Sequence, residues 1–205
     1  MVNSKTKLLK VIQGTNRGLT VSEKQKVAIL TAVEELEEDN PNRNPLQCED
    51  LLNGDWRLLY TTSKSILGLN NLPLVQLGDI YQCIRTQSGK IYNIAEIIGL
   101  PFLDGLVSVA AKIDVVSPKR VNVEFQRSII GLQKILGYLS PKDLISKIEM
   151  GKVFPPFDFK FGNDSKQPTS SDNNQSGWLE ITYLDENLRI GRGNQGNVFV
   201  LEKCC

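Results

Sequence analysis

Histidine is absent from all 205 residues of this chain. That absence excludes Ser-His-Asp and Cys-His catalysis, histidine-bearing zinc sites, and the side chain whose unperturbed pKa lies nearest neutrality. Cysteine is scarce. Its four positions, Cys48, Cys83, Cys204 and Cys205, contain no CxxC pair, so no metal site is expected. In a reducing compartment they are free thiols, and the terminal Cys-Cys is either a lipidation site or a loose tail. No apolar run reaches the ~18 residues of a transmembrane helix. Excess charge is lacking too: Lys and Arg number 24 against 23 Asp and Glu, a formal net charge of +1. No global field therefore draws the protein to nucleic acid. The opening MVNSKTKLLKVIQG lacks the continuous apolar core of a secretory signal and has the pattern of an amphipathic helix. The expected setting is inside a cell, or a protein already relieved of a targeting segment.

What is present is an ordinary soluble composition, 40% hydrophobic and 23% charged. Residues 1–50 read as a helical segment. Its first helix carries Leu8, Leu9, Val11 and Ile12 before Gly14. The second opens on overlapping capping boxes, Thr20 with Glu23 and Ser22 with Gln25, and repeats Ile29, Val33 and Leu36 on one face. Its acidic end, EELEED, is expected to be a solvated face. From Leu51 onward the period changes. DWRLLYTT, DIYQCIRT, KIYNIAEII, LVSVAAKIDVV, RVNVEFQRS, WLEITYL, LRIGRG and NVFVLEK are rich in Val, Ile, Tyr, Phe and Thr and are separated by short turn clusters. Strands without intervening helices imply an antiparallel meander. Closing it over residues 51–205 into a barrel of about eight strands removes the edges and leaves room for one small ligand. The polar stretch 163–177 is expected to be a mobile surface loop.

One string demands a decision. LRIGRGNQGNVFV contains G-x-G-x-x-G-x-V at Gly191, Gly193, Gly196 and Val198, the spacing of nucleotide loops. It lies between two strands near the chain end, with no room for a following βαβ unit or for kinase segments. Its glycines are expected to relieve twist and form the turn of a closing hairpin.

LLNGDWRLLYTTS after LEEDNPNRNP, together with DENLRIGRGNQGNVFVLEK, resembles the plastid lipid-associated protein (fibrillin) family of plastids and cyanobacteria. The resemblance implies a lipocalin-like barrel. It also implies association with thylakoid membranes or lipid bodies, and binding of lipids, quinones or carotenoids without catalysis or cofactor. Gly54-Asp55-Trp56 is then similar to the G-x-W of lipocalins, in which the Trp plugs the closed end and a late Arg, here Arg189 or Arg192, stacks over it. Trp56 is either that plug or a ligand contact.

Tyr60, Tyr92, Phe102, Phe125 and Phe154 are further candidates to line a cavity. On KIYNIAEII, Ile91 and Ile97 share one face and Tyr92, Ile94 and Ile98 the other; one is expected to meet the cavity and the other the N-terminal helices. Asp185 either turns inward to pair with Arg189 or Arg192 or forms the DEN turn, the turn being the expected reading. The apolar stretch 65–78 is a candidate portal through Leu67, Leu69 and Leu72. The stretch 128–151, bearing Lys134, Lys142 and Lys147, either rests on a lipid surface or packs over the barrel. The expected function is a carrier or structural protein for hydrophobic molecules at a peripheral membrane surface. The alternative is a filled barrel that recruits a protein partner. Catalysis would have to rest on Asp79, Asp104, Asp114 or Glu96, and no two of these form a recognisable pair.

Overall fold

The computed structural model describes residues 3–71, 74–161 and 176–204. Helix α1 (Ser4–Ile12) is capped by Asn3, whose side chain accepts the Lys5 backbone N–H. The chain turns away at Gly14, whose φ of +76° carries no Cβ penalty. Helix α2 (Glu23–Glu38) starts with the Ser22–Gln25 box. The Ser22 hydroxyl accepts the Gln25 N–H, and the Gln25 side chain accepts the Ser22 N–H. A short helix α3 (Glu49–Leu52) leads into the sheet, and α4 (Lys64–Leu67) follows the first strand.

All strand pairings are antiparallel. In chain order they are β1 (Gly54–Thr61), β2 (Gln76–Arg85), β3 (Lys90–Ile98), β4 (Gly105–Val115), β5 (Arg120–Leu132), β6 (Phe157–Lys160), β7 (Ser176–Leu184), β8 (Leu188–Gly193) and β9 (Val198–Lys203). Their order is β4-β3-β2-β1-β9-β8-β7-β5-β6, and β4 also pairs with β5. That pairing closes the sheet into a ring through every strand but β6, which removes its sticky edges. Strand β6 was not expected, because FDFK is too short to show a period. It borders β5 from Arg127 to Ile130, while β7 borders β5 from Arg120 to Glu124.

Alternation along the strands builds an inner core and two outer ones. Leu58, Ile80, Ile84, Ile91, Val121 and Ile181 belong to the inner cluster. Outside, α1 and α2 cover the β7-β8-β9-β1 arc through Tyr60, Tyr183, Leu188, Ile190 and Val200. The opposite arc, β2 to β5, is covered by α5 (Gln133–Leu136) and α6 (Pro141–Glu149). The stretch 128–151 thus packs on the barrel: Leu136, Leu144, Ile145 and Ile148 are all buried. Ser140 caps α6 by accepting the Asp143 N–H, and Pro141 starts it. Tyr92 and Ile94 on β3 meet this layer. They do not meet the N-terminal helices as expected, because those helices sit on the far arc of the ring.

Glu37 corrects the expected solvated end of α2. Both its oxygens accept from Arg192, and it also accepts the Thr182 hydroxyl. Of the expected loop 163–177, residues 163–175 lie outside the described residues, as does Cys205; Ser176 and Gly177 already belong to β7. Among the described residues no group of three or more Cys, Asp or Glu is placed to hold a metal ion. No helix among them is long and apolar enough to cross a membrane.

Candidate ligand cavity

One end of the ring is shut. Trp56, at the start of β1, is fully buried, and its indole Nε1 donates to Leu52 O at 3.0 Å. Helix α3 thus seals the floor through a hydrogen bond and through Leu52 itself. Arg189 on β8 lies over the ring, its guanidinium carbon 4.9 Å from the centroid. On β9, Lys203 Nζ lies 5.3 Å from the same centroid. A desolvated cation over an indole contributes ~2 kcal/mol. Arg189 is 1% exposed, and among the described residues it has no carboxylate within ion-pair distance. Burial pushes its pKa down from 12.5 to about 9, so it remains a cation at neutral pH. Its Nη2 donates to Gln82 Oε1 at 2.6 Å, and Gln82 Nε2 donates to Asn93 Oδ1 at 2.9 Å.

Above this floor the barrel is hollow. A cavity of about 790 Å³ is lined by Leu58, Ile80, Val107, Val109, Phe125 and Phe199, with Gln82 and Asn93 among its few polar groups. Strand β4 shows the hollowness directly. Its outward Leu106 and Ser108 are each 1% exposed beneath the α5–α6 layer, while inward Val107 and Val109 are only half-buried. A filled barrel would bury both faces. At the end away from Trp56 the lining includes Ser65, Ile66 and Leu69 of the β1–β2 connection, Asn194 and Asn197 of the β8–β9 turn, and Phe161.

The glycine string divides between wall and turn. On β8, Arg189 reaches the lumen side, and a Cβ added to Gly191 or Gly193 would lie 3.1 Å from inward Leu179 or Phe199. These two glycines make room beside the cavity. Gly196, at φ +70°, closes the β8–β9 turn. Asp185 forms the preceding turn: Oδ1 accepts the Asn187 and Leu188 N–H groups, and Oδ2 pairs with Lys5.

The other sequence candidates scatter, one of them because of a bulge. Phe125 and Leu69 line the cavity. Tyr60 faces the N-terminal helices, because a bulge between Leu58 and Tyr60 reverses the strand's alternation there. Tyr92 faces α6 and donates its hydroxyl to Glu149 at 3.2 Å; burial and that carboxylate push its pKa up. Phe102 is 82% exposed in the β3–β4 connection, with Lys134 Nζ 5.8 Å from its ring. Arg192 points outward to Glu37, not to Trp56. Leu67 turns toward Gly18, and Leu72 lies outside the described residues. Gln82 and Asn93 escaped sequence reasoning. The available signal was a polar residue at an inward position of two otherwise apolar strands.

A closed antiparallel ring around an apolar hollow is the architecture of the small ligand-holding barrels to which lipocalins belong. No solved structure matches the chain. The chain belongs to the PAP_fibrillin family, whose model matches residues 2–202. It is 37% identical over 218 residues to the light-induced chloroplastic protein of Solanum tuberosum, covering 97% of this chain and 66% of that protein. It is 33% identical to the chromoplast-specific carotenoid-associated protein of Cucumis sativus, covering 97% and 67%. With the chloroplastic plastid-lipid-associated protein of Citrus unshiu it shares 32% identity over 98% and 68%. The chain thus spans about two thirds of the length of these relatives.

Proposed function

We propose that the chain is a non-catalytic carrier of hydrophobic small molecules, loaded at a lipid surface in a plastid or cyanobacterial cell. The observation that carries this is the 790 Å³ apolar hollow above a sealed floor. Its volume falls within the ~300–1,000 Å³ of small-molecule sites. Each ligand methylene buried there contributes about 0.8 kcal/mol. The names of the relatives from cucumber and citrus favour carotenoid-like or lipid ligands. The hollow interior favours the carrier over a filled module that only recruits a protein partner.

Portal and docking surface follow from the open end. Leu69 borders the opening, and Leu67 and Leu72 belong to the same connection. Around that end stand exposed apolar side chains, among them Leu74, Phe102, Leu139, Phe157 and Phe159, interleaved with Lys134 and Lys160. Apolar contacts flanked by lysines suit a headgroup interface. The test is native mass spectrometry of protein purified from its own organism, beside uptake of a fluorescent fatty-acid analogue from liposomes. A retained apolar molecule and saturable uptake, reduced in the Leu67→Ser, Leu69→Ser, Leu72→Ser triple variant, are expected. An empty chain that takes up nothing from any lipid mixture would leave the interaction module as the better account.

A further inference from the structure

The cavity holds a polar device that an undiscriminating apolar carrier does not need. Arg189 is a buried cation without a carboxylate partner among the described residues, and its Nε has no hydrogen-bond acceptor there. Burying such a group is costly unless its charge is used. A guanidinium donates hydrogen bonds and never accepts them. Gln82 must therefore turn its oxygen to Arg189, at 2.6 Å. Its amide nitrogen is then left to donate to Asn93 Oδ1, at 2.9 Å. Asn93 is left with its own Nδ2, which meets no protein acceptor among the described residues and belongs to a cavity-lining side chain. The donor-only character of Arg189 thus passes through two amides and emerges in the lumen as N–H. Each bond in such a chain polarises the next, and the low dielectric of the floor strengthens the set.

We infer that Asn93, backed by Gln82 and Arg189, is a head-group subsite that selects long apolar molecules ending in an acceptor oxygen, a carbonyl or a carboxylate. The inference rests on the carrier reading and deepens it. The apolar walls at Val107, Val109 and Phe125 supply affinity for the chain. The amide at the floor sets its direction, oxygen inward and hydrocarbon toward the opening. The positive charge behind the amide favours the carboxylate further.

The experiment uses the full chain loaded with N-phenylnaphthylamine, a neutral fluorophore, displaced by tridecane, methyl undecyl ketone, dodecanoate or undecyl alcohol. The readout is each compound's affinity relative to tridecane, which carries no oxygen. Asn93→Leu, similar in shape, is expected to lower the ketone-to-tridecane ratio about tenfold while tridecane itself binds unchanged. Gln82→Glu reverses the chain of amides. A carboxylate at that position accepts from both Arg189 and Asn93, so the Asn93 oxygen faces the lumen. Dodecanoate is expected to lose about tenfold or more, while the alcohol, which can donate, keeps its affinity. Ratios unchanged in both variants would overturn the subsite while leaving the carrier standing. A parent chain that takes up neither fluorophore nor any of the compounds would overturn the carrier itself. Should Asn93→Leu fail to fold, Gln82→Glu answers the same question without removing a polar side chain.

Discussion

The two ends of the barrel are built from opposite materials. At the closed end an indole, a guanidinium, an ammonium and a short helix are locked together, and Trp56 has no exposed surface. At the open end Phe102, Leu139 and Leu74 are each more than three-quarters exposed. Every contact at the floor contributes to holding the ring shut. At the rim, apolar surface that a monomer would ordinarily bury is left outward. On the proposed function, stability belongs to the floor and binding to the rim and hollow, and substitutions should separate the two.

The largest effect is expected at the floor. Trp56→Ala should cost roughly 3–5 kcal/mol in chemical denaturation, as a large-to-small change in a sealed core. A loss below about 1 kcal/mol would mean the floor is not sealed by this ring.

Among the described residues, the half of the barrel nearer the opening has a buried ion pair of its own. Asp158 on β6 accepts from Arg127 Nε at 2.7 Å and Nη2 at 2.6 Å, and from the Phe154 N–H at 2.9 Å. Hydrogen bonding to Arg127 holds the Asp158 carboxyl below its ordinary 3.8. A depressed carboxylate contributes stability above its unfolded pKa and loses it as the pH falls through the folded value. Asp158→Asn should therefore cost about 1.5–3 kcal/mol at neutral pH. The gap between variant and parent should shrink as urea titrations are moved below 3.8. A gap independent of pH would assign the loss to packing instead of charge.

Val109→Phe probes the hollow between the two ends. Filling space inside a folded protein commonly adds about 0.5–2 kcal/mol. The variant should melt no lower than the parent while its uptake of a fluorescent fatty-acid analogue falls. A destabilised variant would show that the lumen is already packed. The smallest stability change is expected at the rim: Phe102→Ser with Phe159→Ser should alter unfolding by less than about 0.5 kcal/mol per site. Liposome co-sedimentation at high salt should nonetheless drop, because salt screens lysines over a Debye length of about 3 Å at 1 M but leaves apolar contact intact. Unchanged co-sedimentation would move the docking surface away from this rim.

Local signals account for much of what can be read without coordinates. The Ser22–Gln25 box, the stop at Gly14 and the period of two in eight apolar stretches are properties of neighbouring residues. So is the exclusion of histidine chemistry. The G-x-W at Gly54–Trp56 and the Arg189 that covers it were both visible as residue types; Arg189 and Arg192 were not distinguishable. One turns inward and the other outward because they stand an odd number of residues apart on β8.

Alternation states which residues share a face of a strand. It does not state which face is the lumen once a bulge intervenes, and bulges near Tyr60 on β1 and between Phe125 and Arg127 on β5 reverse it within single strands. Closure was expected from the antiparallel meander, but the pairing that makes it, β4 with β5 added to an otherwise open order, was not legible in local pattern. The volume left inside depends on how far that ring closes and on Gly191 and Gly193 at its wall. The amide chain joins Arg189 to Gln82 across 107 residues of sequence. Patterning and the absent chemistries were thus written in the chain's local order. The hollow, its direction and its polar floor arise only when distant strands meet, because inside, outside and empty space are properties of the closed ring.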